Sequence, residues 1–161
     1  MRERNASMKL LWLTLILLFA FQPGGAAASP GDDAKAAIIS LAHNAITAFS
    51  NGDAATAREL VPATSIIDEL PPFSWAGPGA TDAWLAAVRR QGRRSHTTGV
   101  VTVLDAPTFI GIEGRAAYAV FPTRFSYRQA GVQVNRTGIW MFSARKTSRG
   151  WRIVAWAAGP R

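Results

Sequence analysis

The sequence predicts an α+β domain, three helices packed on a curved antiparallel β-meander, and three observations carry that expectation. Apolar residues recur at helical spacing between Asp32 and about Gln91, they switch to period two from Thr97 onward, and glycines stand where the second half must reverse direction. The 161 residues leave room for one hydrophobic core, because cores usually form in units of about 100–200 residues.

What precedes the first helix reads as a leader. Arg2, Arg4 and Lys9 stand before an almost unbroken apolar run, Leu10 to Phe21, and Ala26, Ala27 and Ala28 offer a small-residue cleavage site. We expect a signal peptide over residues 1–28, a domain over 29–161, and a secreted or periplasmic protein. The apolar run is shorter than the about 20 residues that span a bilayer as a helix, so a cleaved signal is favoured over an uncleaved membrane anchor. The chain has no cysteine, so neither a lipid-modified cysteine nor a disulfide is open to it. Burial alone has to stabilise the fold.

The formal charge is +8, and losing Arg2, Arg4, Lys9 and Glu3 with the leader would leave +6. Such a balance raises nucleic acid as a partner, but the arginines are not interleaved with aromatics, and no nucleic-acid partner is expected. Anionic lipid and polysaccharide are the polyanions of an envelope. The densest cluster, Arg89, Arg90, Arg93 and Arg94, reads as a solvated helix end whose charge complements the helix dipole.

Asp32 or Asp33 can cap a first helix to about Ser50, with Ile38, Leu41 and Ala45 on its buried stripe beside Ile39, Ala42, Ile46 and Phe49. Asn51-Gly52 stops it, and Asp53 caps a short second helix ending near Val61. Ser65 to Leu70 reads as a brief strand ended by Pro71-Pro72, and Phe73 to Gly79 as a loop carrying Trp75. Thr81 caps a third helix to about Gln91, with Trp84, Leu85 and Val88 inward. Strands are expected over Gly99–Leu104, Thr108–Glu113, Ala116–Arg128, Val132–Lys146 and Trp151–Ala158, with Pro122 marking a bulge or bend in the third of these.

Among the acids that follow the leader, Asp32, Asp33, Asp53 and Asp82 have helix-start roles, Glu59 sits on a helix, and Asp105 and Glu113 flank turns. Asp68 and Glu69 lack such a role. On a strand they point to opposite faces, so one should face the interior, where a carboxylate suits acid–base work. The bland alternative is that it caps a loop amide or pairs with an arginine. Arg124 and Arg136 lie inside strands, placed to balance Asp68, to hold an anionic ligand, or to face solvent.

Trp75, Trp84, Trp140 and Trp156 with Tyr118 are the aromatic candidates for lining a pocket, set against the simpler reading that they are core. His43 on the first helix is a candidate to face that cavity. His43 and His96 are the only histidines, and with no second ligand at metal spacing no metal is expected. Gly77-Pro78-Gly79 is not a nucleotide fingerprint, and neither a nucleophile elbow nor a P-loop occurs, so no cofactor is expected either.

With Phe49-Ser50-Asn51-Gly52-Asp53 at the first helix turn and Gly150-Trp151-Arg152-Ile153-Val154-Ala155-Trp156 in the last strand, the region from about Ala34 to Ala158 resembles the nuclear transport factor 2-like superfamily, which includes ketosteroid isomerases and SnoaL-type cyclases. The resemblance implies a cone whose sheet wraps the first helix and leaves an apolar pocket at its open end. It also implies that Asp68 stands at the position of the isomerase base, with Glu69 as the alternative. The isomerase's oxyanion donors would fall near Ala45 and Gly138, neither of which can donate from a side chain. The expectation is therefore an exported domain binding a small apolar ligand without established catalysis. The alternatives are an isomerase, dehydratase or cyclase using Asp68 as general base, and a dimeric interaction module pairing as a homodimer through its sheet face.

Overall fold

Helix α1 runs from Pro30 to Asn51 and buries Ile38, Leu41, Ala42, Ala45 and Ala48, a stripe at spacings of three and four. The computed structural model describes residues 30–161, and the expected signal peptide lies outside them. Gly52, at φ 67°, turns the chain. Asp53 then caps α2 (Ala54–Leu60), accepting from the Thr56 amide at 3.0 Å and its hydroxyl at 2.6 Å. Those two donors hold the Asp53 carboxyl below its ordinary value of 3.8.

The next segment departs from expectation. The brief strand stops earlier, as β1 (Ser65–Ile67), and the expected loop contains a second strand, β2 (Ser74–Ala76), which pairs with it antiparallel. Trp75 lies opposite Ile66 and both are buried, so Trp75 is a strand residue of the core. Asp68 and Glu69 fall in the connecting loop, where strand alternation no longer decides which of them points inward. The loop contains a cis Pro71-Pro72 peptide and closes through bonds from the Asp68 amide to Phe73 O and from the Phe73 amide to Leu70 O.

Helix α3 spans Ala80–Arg94 with Gly79, not Thr81, at its N-cap. Gly79 has φ 88°, which glycine reaches without steric cost. Thr81 sits inside the first turn and donates its hydroxyl to Val61 O at 2.6 Å, tying α3 to the end of α2.

Strands β3 (Thr97–Leu104), β4 (Phe109–Glu113), β5 (Ala116–Gln129), β6 (Val132–Thr147) and β7 (Gly150–Pro160) complete a seven-stranded sheet in the order β2-β1-β7-β6-β5-β3, with β4 also on β5. The sheet is mixed rather than wholly antiparallel, because β1 lies parallel to β7. Its register slips lie between Thr98 and Val101 and between Ser143 and Ala144. Pro122 stays in register opposite Ile139. It occupies the gap where β5 changes neighbour: β3 pairs from Thr123 onward and β4 up to Val120. The Pro122 carbonyl accepts from the Asp105 amide on that flank, so the missing N–H falls where neither neighbouring strand asks for it.

Along β5, Ala117, Ala119, Phe121 and Thr123 are buried, and across β6 Gly138, Trp140, Phe142 and Ala144 match them. This is the inner face, covered by the three helices. The outer face carries Tyr118, Val120, Pro122 and Arg124 of β5 and Met141, Ile139 and Thr137 of β6.

Candidate functional site

The inner face is organised around aromatic rings. Phe49 of α1, Trp84 of α3 and Trp156 of β7 meet with Phe49–Trp84 and Trp84–Trp156 centroid separations of 4.9 Å, both edge-on. Trp140 continues the row, 6.3 Å from Trp156 and 5.0 Å from Phe142, and Phe142 stacks on Phe121 at 5.9 Å. The edge-to-face contacts are the arrangement that ring quadrupoles favour.

Two polar atoms lie in this apolar interior without a hydrogen-bond partner among the described residues, Trp156 Nε1 and Thr123 Oγ1. Both residues are buried, and an unpaired polar group in such a place costs about 1–3 kcal/mol. Thr123 lies opposite Gly138, whose lack of a side chain is required: a Cβ there would come within 2.8 Å of Gly159 O and 3.0 Å of Thr123 Oγ1.

Cover over the inner face thins toward one end. Phe125 and Tyr127 continue the Thr123 row and are half-buried. Val88 stands one helical turn after buried Trp84 and is 41% exposed. Exposure thus rises along α3 and along the Thr123 row toward this end of the inner face. Glu69, from the β1–β2 loop, reaches toward this end and faces Arg136 at 3.8 Å.

Asp68 stands at the edge of the cluster. Its Oδ2 accepts from Trp84 Nε1 at 2.7 Å and its Oδ1 from the Leu70 amide at 3.1 Å. The second bond is the turn that an aspartate makes with its own backbone two residues on.

The structure thus brings together Asp68, Trp84, Trp140 and Trp156, with Trp75 buried on β2, and separates the remaining candidates. His43 is exposed on the solvent side of α1. Tyr118 lies on the outer face, its hydroxyl 3.4 Å from Met141 Sδ and its ring 6.0 Å from Phe109. Arg124 is also on the outer face, where it donates from Nε and Nη2 to Asp105 Oδ1 at 3.0 and 2.7 Å; neither it nor Arg136 pairs with Asp68. An open groove of about 440 Å³, lined by Val101, Val103, Arg124 and Thr137 among others, crosses that face. Among the described residues no group of three His, Cys, Asp or Glu could hold a metal ion.

Sequence reasoning missed Thr123, and it offered an arginine partner for these acids only as an alternative, which Glu69 and Arg136 realise. One signal was present for Thr123: a glycine inside a long strand, Gly138, marks a close approach.

No family model matches the chain, and no curated protein matches it in sequence. Solved structures do match in fold. An NTF2-like protein with a cystatin-like fold from Novosphingobium aromaticivorans superposes with a TM-score of 0.65 at 21% identity, over 80% of this chain and 82% of that one. A ketosteroid isomerase-like protein from Erwinia carotovora atroseptica gives 0.59 at 17%, over 78% and 94%. The CaMKII hub of S. rosetta gives 0.64 at 14%, over 84% and 99%. At such identities the likeness is one of fold, and proteins so differently described share it.

Proposed function

We propose, from the premise that this chain has the nuclear transport factor 2-like fold, that it binds a small, largely apolar ligand at the open end of its inner face. One observation carries the reading: buried Trp156 Nε1 and Thr123 Oγ1 remain unpaired on an aromatic wall that runs toward half-buried Phe125 and exposed Val88. Pockets for small molecules combine such apolar lining with a few convergent polar groups. A flat molecule carrying one hydrogen-bond acceptor fits the indole N–H.

The reading stops at binding. Both Asp68 oxygens already accept bonds that hold the loop and the Trp84 ring, and the positions where the resemblance would place oxyanion donors are Ala45 and Gly138. Native mass spectrometry of the purified protein tests it, with a bound species expected that is lost on Trp156→Phe. No bound species, and no binding from a library of apolar compounds, would overturn it.

A second reading is supported by the outer face. Ile67, Val101, Val103, Phe109 and Tyr118 are each at least 40% exposed there, and Arg124, whose side chain sits among them, is neutralised by Asp105. An apolar face of that kind suits a second copy of the chain, which would cover it.

A further inference from the structure

Four arginines, Arg89, Arg90, Arg93 and Arg94, are exposed at the C-terminal end of α3. Arg93 and Arg94 lie in the last turn, where they offset the helix dipole; Arg89 and Arg90 lie before it, beyond what that role asks. None of the four has a carboxylate within salt-bridge distance among the described residues, whereas Arg58, Arg124, Arg136 and Arg152 each have one. The β5–β6 turn lies against the same end: the Ala130 amide donates to His96 O at 3.2 Å. Beside that turn Val132, the first residue of β6, is 67% exposed, more than any other large apolar side chain among the described residues.

We propose that this end of the molecule docks on an anionic lipid surface, with the arginines at the headgroups and Val132 entering the interface. The composition selects lipid over a soluble polyanion. Nucleic acids engage cations interleaved with stacking aromatics, and this end presents arginines beside an exposed aliphatic residue, the pairing that peripheral membrane segments use. Exposed Val88 lies on the same stretch of α3 as Arg89 and Arg90. Docking there would present the mouth of the inner face to the bilayer, so an apolar ligand passes between them without crossing water. This last step rests on the ligand reading above; the docking itself does not.

Co-sedimentation of the full chain with vesicles tests the docking. Vesicles of phosphatidylcholine with three parts in ten phosphatidylglycerol are compared with pure phosphatidylcholine. The apolar run at Leu10–Phe21 would partition into both, so the quantity read is the ratio between them. Arginines near an anionic surface contribute about fivefold each, so Arg89→Gln, Arg90→Gln, Arg93→Gln and Arg94→Gln combined should cut the ratio at least about 100-fold. The pair Arg89→Gln with Arg90→Gln, which leaves the last helical turn intact, should cut it at least about tenfold and serves if the quadruple variant does not fold. Val132→Ser should weaken binding to the anionic vesicles severalfold. A ratio unchanged by the arginine substitutions overturns the proposal. So does arginine-dependent binding of a heparin fragment with no effect of Val132→Ser on vesicle binding, which would assign the patch to a soluble polyanion. Uptake of Nile red without vesicles reports on the inner face alone. Vesicle binding without dye uptake therefore upholds the docking and removes the ligand, and dye uptake without vesicle binding does the reverse.

Discussion

Trp84 and Asp68 form a bridge between helix and loop: the indole N–H donates to Asp68 Oδ2 at 2.7 Å while Oδ1 of the same carboxylate accepts from the Leu70 amide. One side chain thus fixes both the turn after β1 and the orientation of the ring that contacts Phe49 and Trp156.

Trp84→Phe keeps an aromatic ring and removes the donor. A hydrogen bond to a charged group contributes about 1.5–3 kcal/mol, so urea unfolding should show a loss at least of that order. Asp68→Asn should cost less than Asp68→Ala, because the amide oxygen can still accept one of the two bonds. Wild-type stability in Trp84→Phe would remove the bridge from the account.

Gly138→Ala places a methyl 2.8 Å from Gly159 O, a backbone atom of paired β7. The strand pair has to part for it, and overpacking of this kind costs about 1–3 kcal/mol. A thermal midpoint equal to that of the wild type would show that β6 and β7 yield there.

Thr123→Val separates binding from stability. It replaces a buried, unpaired hydroxyl with a methyl, so the fold should be unchanged or gain about 1 kcal/mol. Affinity for a ligand with a polar group at that point should fall. A clear loss of stability would mean that the hydroxyl is already satisfied.

Asp53 sets an acid limit on α2. Its folded-state value lies below the ordinary 3.8 because Thr56 donates to the carboxylate. Its contribution is therefore complete above the unfolded value and disappears as pH falls through the folded one. Asp53→Asn should flatten the dependence of thermal stability on pH below about 4 while retaining a cap.

Tyr118→Glu puts a charge on the outer face beside Phe109. If two copies pair there, sedimentation velocity should show a concentration-dependent dimer for the wild type and a monomer for the variant. A wild-type monomer at every concentration would end that reading.

The order of the helices and the long strands was legible because each repeats one period over many residues, as α1, β5 and β6 do. The Asp53 cap was legible because the chemistry is local: a carboxylate three residues before the Thr56 amide. What lay between Val61 and Ala80 was not. There β1 and β2 have three residues each, too few for a period, and β1 is held by β7 from the far end of the chain. Pro71-Pro72 marks a break correctly, yet the break is the bend of a hairpin whose second strand holds Trp75. The rings Trp84, Trp140 and Trp156 were read as one group from type alone, whereas Tyr118 and Arg124 went to the other face by strand parity, which single residues do not reveal without a register.

The parallel pairing of β1 with β7 places Ser65 beside Ala155 and Ile66 beside Trp156, partners 90 residues apart. A contact of that span closes late, because the intervening chain must surrender its freedom before the pairing repays it. During synthesis, the hairpin of β1 and β2 emerges long before the strand that completes it. Ile66 and Trp75 then wait uncovered on that side, and the arrival of β7 determines when the sheet can finish.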